Sequence, residues 1–304
     1  MNNKKLKNIS SFLLLSVFLY YFYIYINENN EIFEIFYKIE IRFILSLIFL
    51  NLMNYLFRSF LNIYIFRSLD IILNNKEAFQ LAYRNTIGNL LGPLKAGSGY
   101  KMHYIYRNYN LEPSKYISLN TAYAFVSLFL NFLIFLIYSN NQNIFNLNEI
   151  MSILSIFIVV SYSIFYVSQR LESKVQIKII KNFVIGFNAL FLNKKNFFIL
   201  IFLTIGYIYL NIFTIYFCFQ MFEYDVNFIN STIYSTIGSL NSLAKVTPGN
   251  IGLFEILMIS SSSVHGVKIN EILTTSIVMR IISYLTIVLI YLYNVINKLS
   301  YRGK

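Results

Sequence analysis

The chain has 304 residues, 57% hydrophobic and 12% charged, with a formal net charge of +12. A mean hydropathy of +0.58, with about half the charged fraction of a soluble domain, reads as a polytopic membrane protein. One cysteine and two histidines exclude an intrachain disulfide framework and argue against a zinc or other metal centre. No cofactor is expected. The positive excess forms no long run, so it is assigned to cytoplasmic loops and not to nucleic-acid binding.

Taken in order, Lys4, Lys5 and Lys7 precede an apolar run at residues 9–26. Asn27-Glu28-Asn29-Asn30-Glu31 follows it with no small-residue cleavage site, so the run is expected to be a retained helix and not a signal peptide. A second crossing is predicted at residues 43–66, with Arg58 near its inner end. Residues 79–105 form a broken segment whose turn is Gly92-Pro93-Leu94-Lys95-Ala96-Gly97-Ser98-Gly99. Crossings follow at 118–138 and 150–167. An amphipathic piece at 175–192 is expected on the inner face. Another crossing spans 197–219, a second broken segment spans 230–267, and a last crossing at 272–293 carries Arg280.

This order places 19 of the 25 Lys and Arg in segments expected to be cytoplasmic, which satisfies the positive-inside rule. Both termini are then cytoplasmic, and the expected location is a prokaryotic cytoplasmic membrane.

The two broken segments organise the chain. A crossing helix needs about 20 apolar residues, and each segment is interrupted well short of that. In the second, Lys245-Val246-Thr247-Pro248-Gly249-Asn250-Ile251-Gly252 separates two apolar runs, with Glu255 one turn into the latter. Irregular backbone at membrane depth is tolerated only where protein buries it or water reaches it, so re-entrant helical hairpins are expected. Residues 85–99 and 235–249 are also alike. At an offset of 150, Thr86, Ile87, Gly88, Leu90, Lys95 and Gly99 recur as Thr236, Ile237, Gly238, Leu240, Lys245 and Gly249, where composition would give roughly one or two identities. The predicted fold is therefore all-α, a single integral membrane domain over 1–304 built from halves of about 1–145 and 146–304. Each half holds three crossings and one hairpin. Three being odd, the halves form an inverted repeat whose hairpin tips meet near the midplane.

Hairpin tips expose helix ends, and N-terminal N–H groups attract anions such as phosphate. Lys95, Lys101 and Lys245 add full positive charge near the turns, and Arg280 comes from a crossing helix. A charge in the bilayer costs at least about 2.5–3.5 kcal/mol, so it should face a partner or a cavity. These cations are candidates for phosphate contact. Glu255 either balances them, pairing with Arg280 or Lys245, or contacts the headgroup itself. Pro93, Gly97, Gly99, Thr247, Pro248, Gly249, Asn250 and Gly252 would shape the tip backbone. Simpler alternatives are that Arg58 snorkels to the inner interface and that Lys101 and His103 are interfacial.

Thr247-Pro248-Gly249-Asn250-Ile251-Gly252-Leu253-Phe254-Glu255, followed by Gly266-Val267 and then Arg280, resembles the second signature of the flippase-like membrane family typified by the membrane part of lysylphosphatidylglycerol synthase. Members often read T-P-G-G-x-G-x-x-E there. Pro93-x-x-x-Gly97-x-x-x-Lys101 resembles the first signature, P-x-x-x-G-E-x-x-R, with Ser98 in place of Glu and Lys101 in place of Arg. The resemblance implies movement of an anionic phospholipid or lipid-linked sugar between leaflets, and stand-alone members look like accessories to glycolipid or surface-polysaccharide pathways. The membrane segments leave no room for the soluble aminoacyl-transferase domain of the best-known members, so synthesis of aminoacylated lipids is not expected. An enzyme reading would need a poised acid or base, and Glu255 is the only acid in a hairpin, so no enzymatic activity is expected. The alternative is a non-transporting scaffold or accessory subunit that holds cell-envelope biosynthesis enzymes through basic loops.

Overall fold

The structure, a computed structural model, describes residues 39–91, 95–141, 177–239, 253–265 and 267–302, with isolated helical positions between 148 and 166. The described residues form helices and no strands. In chain order these are α1 (Ile41–Arg67), α2 (Asn75–Leu91), α3 (Ala96–Tyr109), α4 (Pro113–Asn141), α5 (Lys178–Leu192), α6 (Lys194–Gln220), α7 (Phe228–Ser239), α8 (Leu253–His265) and α9 (Ile269–Arg302).

Among them, α1, α4, α6 and α9 are long and apolar enough to cross a membrane. They correspond to the crossings expected at 43–66, 118–138, 197–219 and 272–293. The expected helix at 9–26 lies outside the described residues, and that at 150–167 lies largely outside them.

Helix ends follow local chemistry. Asn74, Asn193 and Asn227 cap α2, α6 and α7, each side-chain oxygen accepting the N–H three residues on, from Glu77 (2.8 Å), Asn196 (3.1 Å) and Asn230 (2.8 Å). At the other ends, Asp70, Asn110 and Glu223 take positive φ values of 58°, 53° and 56°. Where glycine usually stands, these residues turn the chain while Ile71 N–H reaches back to the Phe66 carbonyl (3.2 Å) and Tyr224 N–H to that of Phe219 (3.2 Å). Inside the helices, buried hydroxyls are satisfied by their own carbonyls four residues back, as at Thr204, Thr236, Thr274 and Thr286. That lets polar residues sit in apolar surroundings without an orphaned donor.

Two compact units divide the chain. One holds α7–α9 with α1 to Asn54, residues 86–91 of α2 and α6 from Leu210; the other holds α4, α5 and the remaining parts of α1, α2, α3 and α6. In the first, α7 and α8 pack against each other across residues 240–252. A Cβ on Gly238 would stand 3.0 Å from the Phe254 ring. Tyr234 and Met258, both fully buried, join Phe219 and Ile272 in one apolar core.

In the second unit, α2 and α3 lie side by side and antiparallel. The Tyr104 hydroxyl donates to Glu77 Oε1 (2.9 Å), and the Tyr109 hydroxyl lies 2.8 and 2.7 Å from the two Glu77 oxygens. Farther along, Arg84 donates to the Tyr100 hydroxyl and Ser98 to Asn85 Oδ1 (3.3 Å). Glu77 is the clamp at the open end of this hairpin. Glu77→Ala is expected to destabilise the protein by about 2–3 kcal/mol, since two hydroxyls lose a charged acceptor. Thermal unfolding in detergent would show it, with Glu77→Gln falling between Ala and wild type.

Helix α5 packs on α4 through small and polar residues. Lys178 pairs with Glu112 (3.0 Å), and Asn182 donates to the same carboxylate. Gly186 seats against Ser118 and Lys115, where a Cβ would come within 2.6 Å of the Lys115 carbonyl oxygen. Gly186→Ala should therefore push the two helices apart and cost about 1–3 kcal/mol, read as a lower melting temperature. The amphipathic piece expected at 175–192 is helical from Lys178 to Leu192. It turns Asn182, Asn188 and Gly186 inward and leaves Ile179, Ile180 and Phe183 exposed.

Candidate functional site

The residues of the candidate site fall into three groups. Pro93, Lys245, Thr247, Pro248, Gly249, Asn250 and Gly252 lie outside the described residues. Lys95, Gly97, Lys101, Gly99, Glu255 and Arg280 lie within them. Arg58, Asn62, Phe66 and Tyr207 are brought to the site by structure.

Lys95 stands just before α3 with φ 60°, a left-handed conformation that few non-glycine residues adopt. The chain therefore breaks sharply between α2 and α3. Gly97 is buried at the start of α3. A Cβ on Gly99 would meet nothing within 4 Å among the described residues, so packing there does not require a glycine.

Lys101, one turn farther along α3, is only 7% exposed. Its Nζ donates to Asn62 Oδ1 at 2.5 Å and lies 5.0 Å from the centroid of the Phe66 ring. Asn62 in turn donates to the Ala78 carbonyl (3.4 Å). Phe66 is fully buried and stacks on Tyr116, whose hydroxyl donates to the Ser98 carbonyl at 3.4 Å. Among the described residues no carboxylate forms an ion pair with Lys101. The ammonium is thus held by an amide oxygen and an aromatic face, neither of which neutralises it. Within the unit, α3 turns that side chain inward, onto α1.

Arg58 lies one turn before Asn62 on α1, so Arg58, Asn62 and Phe66 share a face. Its Nε and Nη2 donate to the Tyr207 hydroxyl at 3.1 and 2.7 Å, and the guanidinium lies 5.4 Å from the Tyr207 ring centroid. Arg58 is half-buried in contact with a neighbouring helix.

The other unit treats its charge differently. Arg280 on α9 donates through Nε (2.9 Å) and Nη2 (2.6 Å) to Glu255 Oε1 on α8. The two side chains are 18% and 12% exposed. Of the two partners weighed for Glu255, Arg280 is paired with it, and Lys245 lies outside the described residues. Flanking residues Phe254, Met258 and Met279 belong to the apolar core of this unit. A largely buried pair of this kind fixes α8 to α9.

The spacing Arg58–Asn62–Phe66 is a sequence signal that hydropathy passes over, because two polar residues barely interrupt an apolar run of this length. No group of three or more His, Cys, Asp or Glu that could hold a metal occurs among the described residues.

A family model described as the lysylphosphatidylglycerol synthase TM region matches residues 8–290. A UPF0104 membrane protein of Methanothermobacter thermautotrophicus (strain ATCC 29096 / DSM 1053 / JCM 10044 / NBRC 100330 / Delta H) is 30% identical over 111 residues. That similarity covers 36% of this chain and 32% of the relative, so the match spans about a third of that protein.

Proposed function

Because the chain belongs to the lysylphosphatidylglycerol synthase TM-region family, we propose that this membrane protein translocates an anionic phospholipid or lipid-linked sugar between leaflets. It does so without catalytic chemistry of its own, within a glycolipid or surface-polysaccharide pathway of the cell envelope.

The observation that carries this reading is Lys101. It is a cation buried in a membrane protein with no carboxylate paired to it among the described residues. Such a charge is costly unless it meets an anion part of the time. A passing phosphate supplies that anion. Arg58, on the same face of α1 as the Lys101 partner Asn62, extends the positive character by one turn.

In this account α2–α3 and α7–α8 are re-entrant hairpins of an inverted repeat. Support comes from their lengths: α3, α7 and α8 have 14, 12 and 13 residues, about 18–21 Å each, against a hydrocarbon core of about 30 Å. The headgroup passes the cationic side chains while the acyl or prenyl tails remain in the bilayer. Glu255 and Arg280 hold α8 on α9, and the guanidinium also brings positive charge to this hairpin.

Charge selectivity tests the reading. Purified protein in liposomes should move fluorescent phosphatidylglycerol or a polyprenyl-phosphate sugar faster than fluorescent phosphatidylcholine. Equal rates for the anionic and zwitterionic lipids would refute an anion-recognising path.

A further inference from the structure

A second polar site lies in the α2–α3 hairpin, apart from Lys101. A cleft of about 430 Å³ opens between the two helices, lined by Lys76, Glu77, Gln80, Arg84, Tyr100 and Tyr104 among others. That volume lies in the range of small-ligand sites and suits a headgroup more than a whole lipid.

Its two walls differ in chemistry for a reason visible in the helical period. Lys76, Gln80 and Arg84 are spaced by four on α2 and form one stripe. Tyr100 and Tyr104 are spaced by four on α3, with ring centroids 6.4 Å apart. One wall therefore offers an ammonium, an amide and a guanidinium. The other offers two aromatic rings with their hydroxyls.

Both walls are held in place. The Arg84 guanidinium lies 5.6 Å from the Tyr100 ring centroid and donates to its hydroxyl at 2.5 Å. That leaves the other guanidinium nitrogens to face a ligand. Glu77 accepts from Tyr104 (2.9 Å) and Tyr109 (2.8 and 2.7 Å). Its negative charge is thereby spent on the hairpin and opposes an incoming anion less than a bare carboxylate would. Two exposed cations against one tied-down carboxylate leave the cleft net positive.

We propose that this cleft binds a phosphate ester of a sugar or polyol. Lys76 and Arg84 take the phosphate, Gln80 and the tyrosine hydroxyls take hydroxyl groups, and the Tyr104 face covers the carbon side of the ligand. A free sugar phosphate and a glycerol-phosphate lipid headgroup share this chemistry. The inference goes beyond translocation, because binding is an equilibrium property of the cleft whether or not lipid crosses the membrane.

The test is isothermal titration of the full chain in detergent micelles with two probes, glucose 1-phosphate and submicellar dihexanoyl phosphatidylglycerol. Glucose and dihexanoyl phosphatidylcholine serve as comparators. At least one phosphate ester should bind saturably, and K76Q/R84Q should weaken it by about tenfold or more. R84K, which keeps the charge, should lose less. Both residues are exposed, so the variants should melt as wild type does; a variant that did not would be replaced by salt competition on the wild type, where added chloride should weaken binding. Binding of the soluble ester alone assigns a free metabolite, binding of the short lipid alone assigns a headgroup, and either sustains the proposal. No saturable binding of either ester, binding unchanged in K76Q/R84Q, or glucose binding as tightly as glucose 1-phosphate would overturn it. Loss of translocation with this binding intact would count against the proposed function only.

Discussion

Arg280→Ala is expected to destabilise the protein by about 3 kcal/mol. The guanidinium makes two contacts, 2.9 and 2.6 Å, to one Glu255 oxygen, and the pair is 18% and 12% exposed. Removing one partner breaks a charge-assisted contact between largely buried side chains, where water supplies little compensation. Glu255→Ala should cost a similar amount for the same reason. The double variant E255A/R280A should be less destabilised than the sum of the two singles, by about 2 kcal/mol or more, because it buries no orphaned charge. Thermal unfolding of the four proteins in one detergent closes this cycle. Additive losses would mean that the two side chains do not interact. The double variant also separates structure from transport. If Arg280 meets the headgroup as well as Glu255, E255A/R280A will fold and still move lipid poorly.

Lys101→Met should behave in the opposite way. The side chain is 7% exposed, with Asn62 and Phe66 as its neighbours and no paired carboxylate among the described residues. An apolar chain of similar length removes the desolvation cost of a buried charge that no carboxylate neutralises. The orphaned Asn62 oxygen would offset part of the gain at about 1–3 kcal/mol. The melting temperature should therefore stay close to that of wild type. Translocation of an anionic lipid should fall by about tenfold or more, the loss typical of removing one partner from a desolvated charge contact. A structural lysine would give the reverse pattern, a destabilised protein whose folded fraction transports normally.

Much of this arrangement is legible in the sequence because hydropathy and breakers are local. The α1, α4, α6 and α9 crossings fall where apolar runs of sufficient length predict them. The break after Leu91 and the restart at Ala96 coincide with Gly92–Gly99, and α7 ends and α8 begins on either side of residues 240–252. Glu255 is the only acid within the broken segments at 79–105 and 230–267, so a short list of partners, Arg280 among them, is legible for it. The contacts of Lys101 and Arg58 were not legible. They join α3 to α1 across 39 residues and α1 to α6 across 149, and they depend on how each helix is rotated about its axis. In a helix apolar nearly all round, periodicity does not define that rotation. The same holds for Glu77. Its tyrosine partners lie 27 and 32 residues away, and only the antiparallel packing of α2 on α3 brings them together.

The most direct measurement is the plateau of a leaflet assay. Liposomes carrying fluorescent phosphatidylglycerol in both leaflets, with or without purified protein, are treated with a membrane-impermeant quencher. Protein-free vesicles should stop near half quenching, since only the outer leaflet is reached. Vesicles with wild-type protein should quench well past half, and those with folded Lys101→Met should lag far behind. A wild-type plateau that stays at half for phosphatidylglycerol and for a polyprenyl-phosphate sugar, with the protein folded and inserted, would contradict translocation.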